Sequence, residues 1–225
     1  MNWKNQIEKI SPNALLEIPD VGVYKSNLDT FILNGFTPSI FAKILPLSEE
    51  QIWSTFALWQ LSKKTNLIRE AHLLEIGSGK GGSILTMGLA NLTAELWNVD
   101  AFKPFDEESA FGRSNGYQGF SYIDFKNNLR PTMQVFERVK TVLQWSEEAV
   151  NEIPENYFDL IFIDGNHSYE NCKQDILNYT TKLRSDGIMC GHDYHPRFPG
   201  VISAVKELYG EQFDVMEFSS VWVKI

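Results

Sequence analysis

Apolar residues follow two alternating patterns along residues 71–225. Apolar runs typical of buried strands lie at residues 72–76, 95–99, 139–143, 158–163, 187–190, 213–218 and 221–225. Apolar residues at helical spacing separate most of these runs, at residues 82–91, 120–129, 146–153, 169–183 and 201–209. Strands that alternate with helices predict an α/β fold, a doubly wound and mostly parallel sheet with helices on both faces.

Residues 1–70 follow a different pattern. Prolines divide their first part into short pieces, and the one long helical pattern runs over residues 48–69. In that pattern Ile52, Phe56 and Trp59 recur at helical spacing. We therefore predict a helical extension or cap at 1–70 and a main domain at 71–225. The aromatic residues of the cap are either ordinary core or one wall of a substrate pocket.

Composition narrows the range of partners. The chain has 225 residues, 43% of them hydrophobic, and a formal net charge of −9 with a pI near 5.0. Because binding to nucleic acid and to anionic membranes depends on basic patches, neither partner is expected. No apolar stretch reaches the length of about 18 residues that a membrane span needs, and no signal peptide is apparent. Cys172 and Cys190 are predicted to be reduced core thiols, which favours a cytoplasmic protein.

A glycine-rich turn follows the strand at 72–76. Glu75 precedes Gly77, Gly79 and Gly81, and a helical pattern begins directly afterwards. A strand, a tight turn and a helix N-terminus form a nucleotide site in α/β sheets. Glu75 would repel the phosphates of a dinucleotide and attract the ammonium group of S-adenosylmethionine (SAM). Gly77, Gly79 and Gly82 also satisfy the dinucleotide pattern G-x-G-x-x-G, so an NAD-dependent oxidoreductase remains an alternative. Asp100, at the end of the next strand, is placed to accept hydrogen bonds from ribose hydroxyls.

Two later strands also end in polar residues. The strand at 158–163 is followed by Asp164 and His167, and the strand at 187–190 by His192 and Asp193. Neighbouring parallel strands bring these residues to one rim of the sheet. Paired carboxylates suit a hard divalent cation, with Mg²⁺ favoured, while imidazoles also allow Mn²⁺, Fe²⁺ or Zn²⁺. A cation and a histidine base together activate a hydroxyl nucleophile, and His167 is the first candidate base and His192 the second.

These motifs together resemble class I SAM-dependent methyltransferases over residues 70–225. The sequences around Asp164 and Asp193 are similar to the group related to macrocin-type sugar O-methyltransferases and cephalosporin-hydroxylase-like proteins. The resemblance implies a Rossmann-like sheet of seven strands whose last strand is antiparallel. It also implies Asp164 and Asp193 as metal ligands and His167 as the base. The macrocin type has an acidic residue where this chain has His192, which leaves His192 as a third ligand, a second base or an orienter of Asp193.

In this family the glycine turn wraps the methionine part of SAM, and the end of the third strand borders the adenine. The resemblance therefore implies a cofactor site made of Glu75, Gly77, Ser78, Gly79, Gly81, Ser83, Asp100, Ala101, Trp145, Ser146 and Asp164. Trp145 has an alternative reading as a core aromatic residue. The long segment at 102–119 is either a lid that carries Arg113 and Tyr117 to the substrate or an ordinary loop.

The predicted function is methyl transfer from SAM to a small-molecule acceptor. A hydroxyl of a sugar, polyol or secondary metabolite is favoured, and an amine acceptor stays open. A non-catalytic SAM-binding subunit is an alternative from a different class. The sequence allows a homo-oligomer without predicting its size.

Overall fold

The computed structural model describes residues 49–65, 70–103 and 120–225. Most of the predicted cap at 1–70 lies outside the described residues. The predicted lid positions Arg113 and Tyr117 also lie outside them. The division into a cap and a main domain stays a prediction.

Seven strands form one sheet in the described part of the chain. In chain order they are β1 His72–Ile76, β2 Glu95–Val99, β3 Val139–Val142, β4 Phe158–Ile163, β5 Leu183–Gly191, β6 Phe213–Val215 and β7 Trp222–Lys224. The spatial order is β3-β2-β1-β4-β5-β7-β6. The first five strands are parallel, and β7 pairs antiparallel with both β5 and β6. The predicted Rossmann-like sheet with an antiparallel last strand is confirmed.

Helices cover both faces of this sheet. They are α1 Glu49–Lys64, α2 Gly82–Ala90, α3 Tyr122–Leu129, α4 Met133–Phe136, α5 Ser146–Ala149, α6 Tyr169–Thr180 and α7 Pro199–Tyr209. Buried residues of α1 to α4 pack in one core, together with Leu73 and Leu160 of the sheet. Buried residues from α6, α7 and the short α5 pack in a second core against Leu74 and Ile161. Successive strand residues therefore face opposite cores, as the period of two in a strand requires.

Helix α1 belongs to the first of these cores. Phe56, Trp59 and Leu61 are buried there with residues of α2 and β1. The aromatic residues of α1 predicted as either core or pocket wall are thus core residues. Burying such side chains stabilises the fold by about 1.5–3 kcal/mol each.

Most strand bounds match the predicted ones, and the differences have local causes. Strand β5 begins four residues before the predicted position 187, although its first part is polar. A register shift between Phe158 and Leu160 lets Leu183 pair with Phe158 at the start of the strand. Arg184 then forms an ion pair with Asp159 on the neighbouring strand. Helix α4 was not predicted, because its four residues are too few to show a helical period.

Two further expectations concern the cysteines and the membrane. Cys172 and Cys190 are buried free thiols, as predicted, and burial raises the pKa of Cys172 to about 12. Among the described residues, none of the helices has the length and apolar character to cross a membrane.

Candidate active site

The glycine turn follows β1 and leads into α2. Gly77 and Gly81 adopt left-handed backbone conformations, with φ of 85° and 88°. A Cβ atom on Gly77 would lie 2.3 Å from the carbonyl oxygen of Asp164, so any side chain there would collide with the end of β4. The turn is therefore in direct contact with the segment that carries the second polar motif. This contact joins the two motifs that the sequence showed separately.

Glu75 lies at the base of this turn and is fully buried. Neither of its carboxylate oxygens makes a hydrogen bond of normal geometry to the described residues. Burial raises the pKa of Glu75 to about 8, repulsion from Asp164 adds to the rise, and the hydroxyls of Ser83 and Ser78 oppose it. A buried carboxylate that lacks a cationic partner is costly to the fold. The site therefore fits a ligand that brings a positive charge to Glu75.

Asp100 holds the turn in place from the end of β2. Its Oδ2 accepts hydrogen bonds from the backbone N–H groups of Ser78 and Gly79, at 2.9 and 3.0 Å. Its Oδ1 accepts a third from the N–H of Phe102 at 2.7 Å. A carboxylate has about four acceptor positions, so part of its capacity is used by the backbone. Its ribose role stays a prediction.

The remaining predicted cofactor residues lie at the carboxyl ends of the same strands. Ala101 follows Asp100 and is half-buried. Trp145, also half-buried, and Ser146 follow β3, where Trp145 precedes the first turn of α5. The hydroxyl of Tyr179 on α6 donates a hydrogen bond to the carbonyl oxygen of Ser146 at 2.9 Å, which fixes this junction. The arrangement is compatible with an adenine site at the end of β3, which stays a prediction.

The second polar motif forms a compact cluster at the carboxyl ends of β4 and β5. Nε2 of His167 lies 2.7 Å from Oδ2 of Asp193 and 3.9 Å from Oδ1 of Asp164. Nδ1 of His192 lies 3.1 Å from Oδ1 of Asp193 and 3.6 Å from Oδ1 of Asp164. The carboxylate of Asp193 thus lies between two imidazole rings. The four predicted residues are brought together.

Electrostatics within the cluster favour an ion pair. Burial alone would lower the pKa of His167, but Asp164 and Asp193 outweigh it and raise this pKa to about 9. Burial opposes ionisation of Asp193, yet the two histidines hold the pKa of its carboxyl well below the ordinary range. Without another cation, His167 is therefore protonated and Asp193 ionised at neutral pH.

The backbone of Asp193 is also unusual. Its φ is +58°, in the left-handed region that residues other than glycine seldom adopt. Such strain persists only where the surroundings hold it, and it clusters at functional sites. The N–H of His195 donates to the carbonyl oxygen of Asp193 at 2.7 Å, which stabilises the tight turn.

Ligand-type atoms of Asp164, His167 and Asp193 all lie within 4.8 Å of one another. Two carboxylates and one imidazole suit a divalent cation, so the residues present fit a metal. The predicted ligand set contained His192 in place of His167. Nε2 of His192 points to Oγ of Ser220, 3.1 Å away, rather than to a carboxylate. A metal role for His192 stays a prediction.

Two residues near the cluster were missed by the sequence analysis. Phe198, just before α7, packs on the ring of His167 with centroids 4.6 Å apart. Ser220 reaches His192 from the turn before β7. Neither belongs to a motif, since both come from chain segments far from their partners. For Ser220, the nearest sequence signal was the expected antiparallel last strand that follows it.

Comparison with known proteins is consistent with this geometry. A family model described as a methyltransferase domain matches residues 74–194. A curated protein of Sinorhizobium fredii (strain NBRC 101917 / NGR234), called uncharacterized protein y4gI, is 22% identical over 169 residues. That match covers 69% of this chain, which spans only 17% of the length of that relative.

Solved structures share the fold. The O-methyltransferase NovP has a TM-score of 0.64 and 18% identity, with 77% of this chain and 79% of that chain covered. CalS11, a TDP-rhamnose 3′-O-methyltransferase of calicheamicin biosynthesis, has a TM-score of 0.56 and 14% identity, with 92% and 95% covered. At such identities the similarity shows the fold alone.

Proposed function

This chain belongs to the methyltransferase-domain family of SAM-dependent enzymes, and we propose that its methyl acceptor is a hydroxyl group of a small molecule. One observation carries the proposal. The glycine turn, whose buried Glu75 has no cationic partner among the described residues, touches the backbone of Asp164, which begins the carboxylate–imidazole cluster. A methyl donor held by the turn would therefore lie next to groups suited to deprotonating an acceptor.

The cofactor side of the site supplies a charge and a cradle. SAM, when bound, supplies a methyl group activated by a sulfonium. Glu75 would pair with the ammonium of its methionine part, and the backbone of the glycine turn would line the cofactor. Asp100 keeps the turn in shape through its bonds to Ser78 and Gly79, so the cradle forms before any ligand arrives. Alignment of donor and acceptor is the main catalytic contribution expected of such a site.

The acceptor side would deprotonate the hydroxyl. Asp164 and Asp193 would hold a divalent cation, which lowers the pKa of a bound hydroxyl. His167 is the proposed base, because its Nε2 faces the space between both carboxylates. It accepts a proton only when neutral, and its pKa falls when its carboxylate neighbours share their charge with another cation. The same geometry leaves His167 as a third ligand if a different group takes the proton.

The acceptor class is tested by methyl transfer from isotope-labelled SAM to a panel of sugar, polyol, phenol and amine acceptors. The dialysed protein is assayed in excess EDTA and again after Mg²⁺ or Mn²⁺ is restored. We expect transfer to hydroxyl acceptors that stops on chelation and returns with the metal. Transfer to amines alone would contradict the hydroxyl proposal. Full turnover in EDTA would show that the reaction needs no divalent cation.

A further inference from the structure

Ser220 lies in the turn between β6 and β7 and is almost fully buried. Its N–H donates to Oγ of Ser54 on α1 at 3.3 Å, and its carbonyl oxygen accepts from the N–H of Tyr194 at 2.9 Å. Its Oγ lies 3.1 Å from Nε2 of His192. Each polar group of Ser220 therefore has a partner, and the residue ties α1 and β7 to the segment after β5.

The other side of the His192 ring faces carboxylates. Nδ1 lies 3.1 Å from Oδ1 of Asp193. An ionised carboxylate only accepts hydrogen bonds, so Nδ1 must carry a proton in this geometry. In the neutral ring Nε2 is then an acceptor, and the hydroxyl of Ser220 is its donor. The ring is held at both nitrogens.

We infer that Ser220 is a positioning residue: it fixes the tautomer and the orientation of His192, which in turn holds Oδ1 of Asp193 and leaves Oδ2 facing His167. This inference rests on the proposed function, in which Asp193 is a ligand of the cation. It assigns His192 the role of orienter rather than ligand or base. Hydrogen-bond partners that orient a metal ligand commonly affect metal affinity by about 10- to 100-fold.

The order serine, histidine, aspartate also occurs in hydrolases with a serine nucleophile. Ser220 does not fit that role, because only 2% of the residue is exposed. A substrate carbonyl could not reach its Oγ without opening the contact between α1 and the β6–β7 turn. Burial suits a residue that holds a ring in place.

The inference is tested first on the protein without SAM or metal. Long-range ¹H–¹⁵N spectra of the ¹⁵N-histidine protein at pH 8 report which imidazole nitrogen carries the proton, and His192→Gln identifies the His192 signals. We expect a proton on Nδ1 of His192 in the wild type. We expect Ser220→Ala to yield a mixture of tautomers, and Ser220→Thr, which keeps the hydroxyl, to restore the single form.

Ser219→Ala is the matched control, because Ser219 lies in the same turn and its hydroxyl bonds only to Met216 and Val221 in the contacts observed. It should leave the His192 signals unchanged. An unprotonated or averaged Nδ1 in the wild type would overturn the inference without any variant. So would a Ser220→Ala spectrum identical to that of the wild type.

Binding of Mn²⁺ to the SAM-free protein separates this inference from the proposed function. We expect Ser220→Ala to weaken Mn²⁺ binding about tenfold, while Ser219→Ala leaves it unchanged. Equal Mn²⁺ affinity in the wild type and Ser220→Ala would contradict the positioning role. A wild type that binds no Mn²⁺ but keeps the single tautomer would instead refute the metal part of the proposed function and leave the tautomer assignment standing.

Discussion

Glu75, which is fully buried, and Asp193, which is half-buried, are carboxylates at the same rim of one sheet, but their surroundings are opposite. Among the described residues, no cationic group pairs with Glu75, and burial raises its pKa to about 8. Asp193 lies between two imidazole rings, which outweigh the effect of partial burial and hold its pKa well below the ordinary range. Within the part of the chain that the structure describes, Asp193 has a counter-charge and Glu75 has none.

The cluster around Asp193 is therefore a preformed site, whereas the Glu75 site is completed only by a ligand. The cluster around Asp193 is satisfied by the chain itself, so its geometry is ready before an acceptor binds. Glu75 is a local cost to stability that a cationic ligand would remove. Removing the charge of Glu75 should therefore relieve a cost to stability, whereas removing a charged partner of Asp193 should disrupt a cluster that is already satisfied.

The largest expected effect comes from the cluster. Replacing His167→Gln removes the proposed base and the partner of Asp193, and kcat should fall by about 10²- to 10⁴-fold. Affinity for SAM should change little, because the proposed role of His167 concerns the acceptor and not the cofactor. Steady-state kinetics with an acceptor found in the panel, together with calorimetry of SAM binding, measures both quantities.

His195→Gln is the control for this variant, since His195 lies two residues after Asp193 and its ring accepts a hydrogen bond from the N–H of Arg197. It should keep most of the wild-type kcat. A His167→Gln enzyme with near-normal kcat but weakened metal binding would show that His167 is a ligand, and the base would have to be sought elsewhere.

A smaller effect is expected on stability as the pH rises. The pKa of His167 is raised from 6.5 to about 9, so the stabilisation by its ion pair is complete below pH 6.5 and is lost as the pH rises through about 9. Burial penalises the ionised form of Glu75 and raises its pKa from 4.5 to about 8, so this penalty is absent below pH 4.5 and grows until about pH 8. The free energy of unfolding without ligand should therefore fall by about 1–3 kcal/mol between pH 6.5 and 9.5.

Urea unfolding at several pH values measures this decrease in the free energy of unfolding. Two variants show how much of it comes from each group. Glu75→Gln should remove the part of the decrease that ends near pH 8, and His167→Gln the part that runs from pH 6.5 to about 9. A wild-type stability that stays level or rises over this range would mean that neither group has the protonation state assigned to it.

The sequence predicted the frame of the site better than its internal contacts. The bounds of β1, β2 and β4 were predicted correctly, because buried strands flanked by turns have a clear apolar pattern. The meeting of Asp164 and Asp193 followed from the rule that parallel strands end at one rim. Both rest on local pattern and topology alone.

Contacts that depend on side-chain direction could not be predicted. The pattern does not show that Asp100 bonds to backbone N–H groups of the glycine turn, or that His167 reaches the carboxylate of Asp193. Ser220 approaches His192 across an antiparallel pair of strands, 28 residues away in the chain. Such contacts are set by packing in three dimensions, and a motif carries no information about them.

The most direct test of the central claim is calorimetry of SAM and of 5′-methylthioadenosine, which lacks the ammonium-bearing part, on the wild type and Glu75→Gln. If Glu75 pairs with that ammonium, the wild type should bind SAM roughly 100-fold more tightly than 5′-methylthioadenosine, a difference of about 3 kcal/mol in binding free energy. Glu75→Gln should lose most of this preference. The control Glu95→Gln should keep it, because Glu95 begins β2 and lies at the edge of the sheet away from the site. An unchanged preference in Glu75→Gln, or tighter binding of NAD than of SAM to the wild type, would contradict the account.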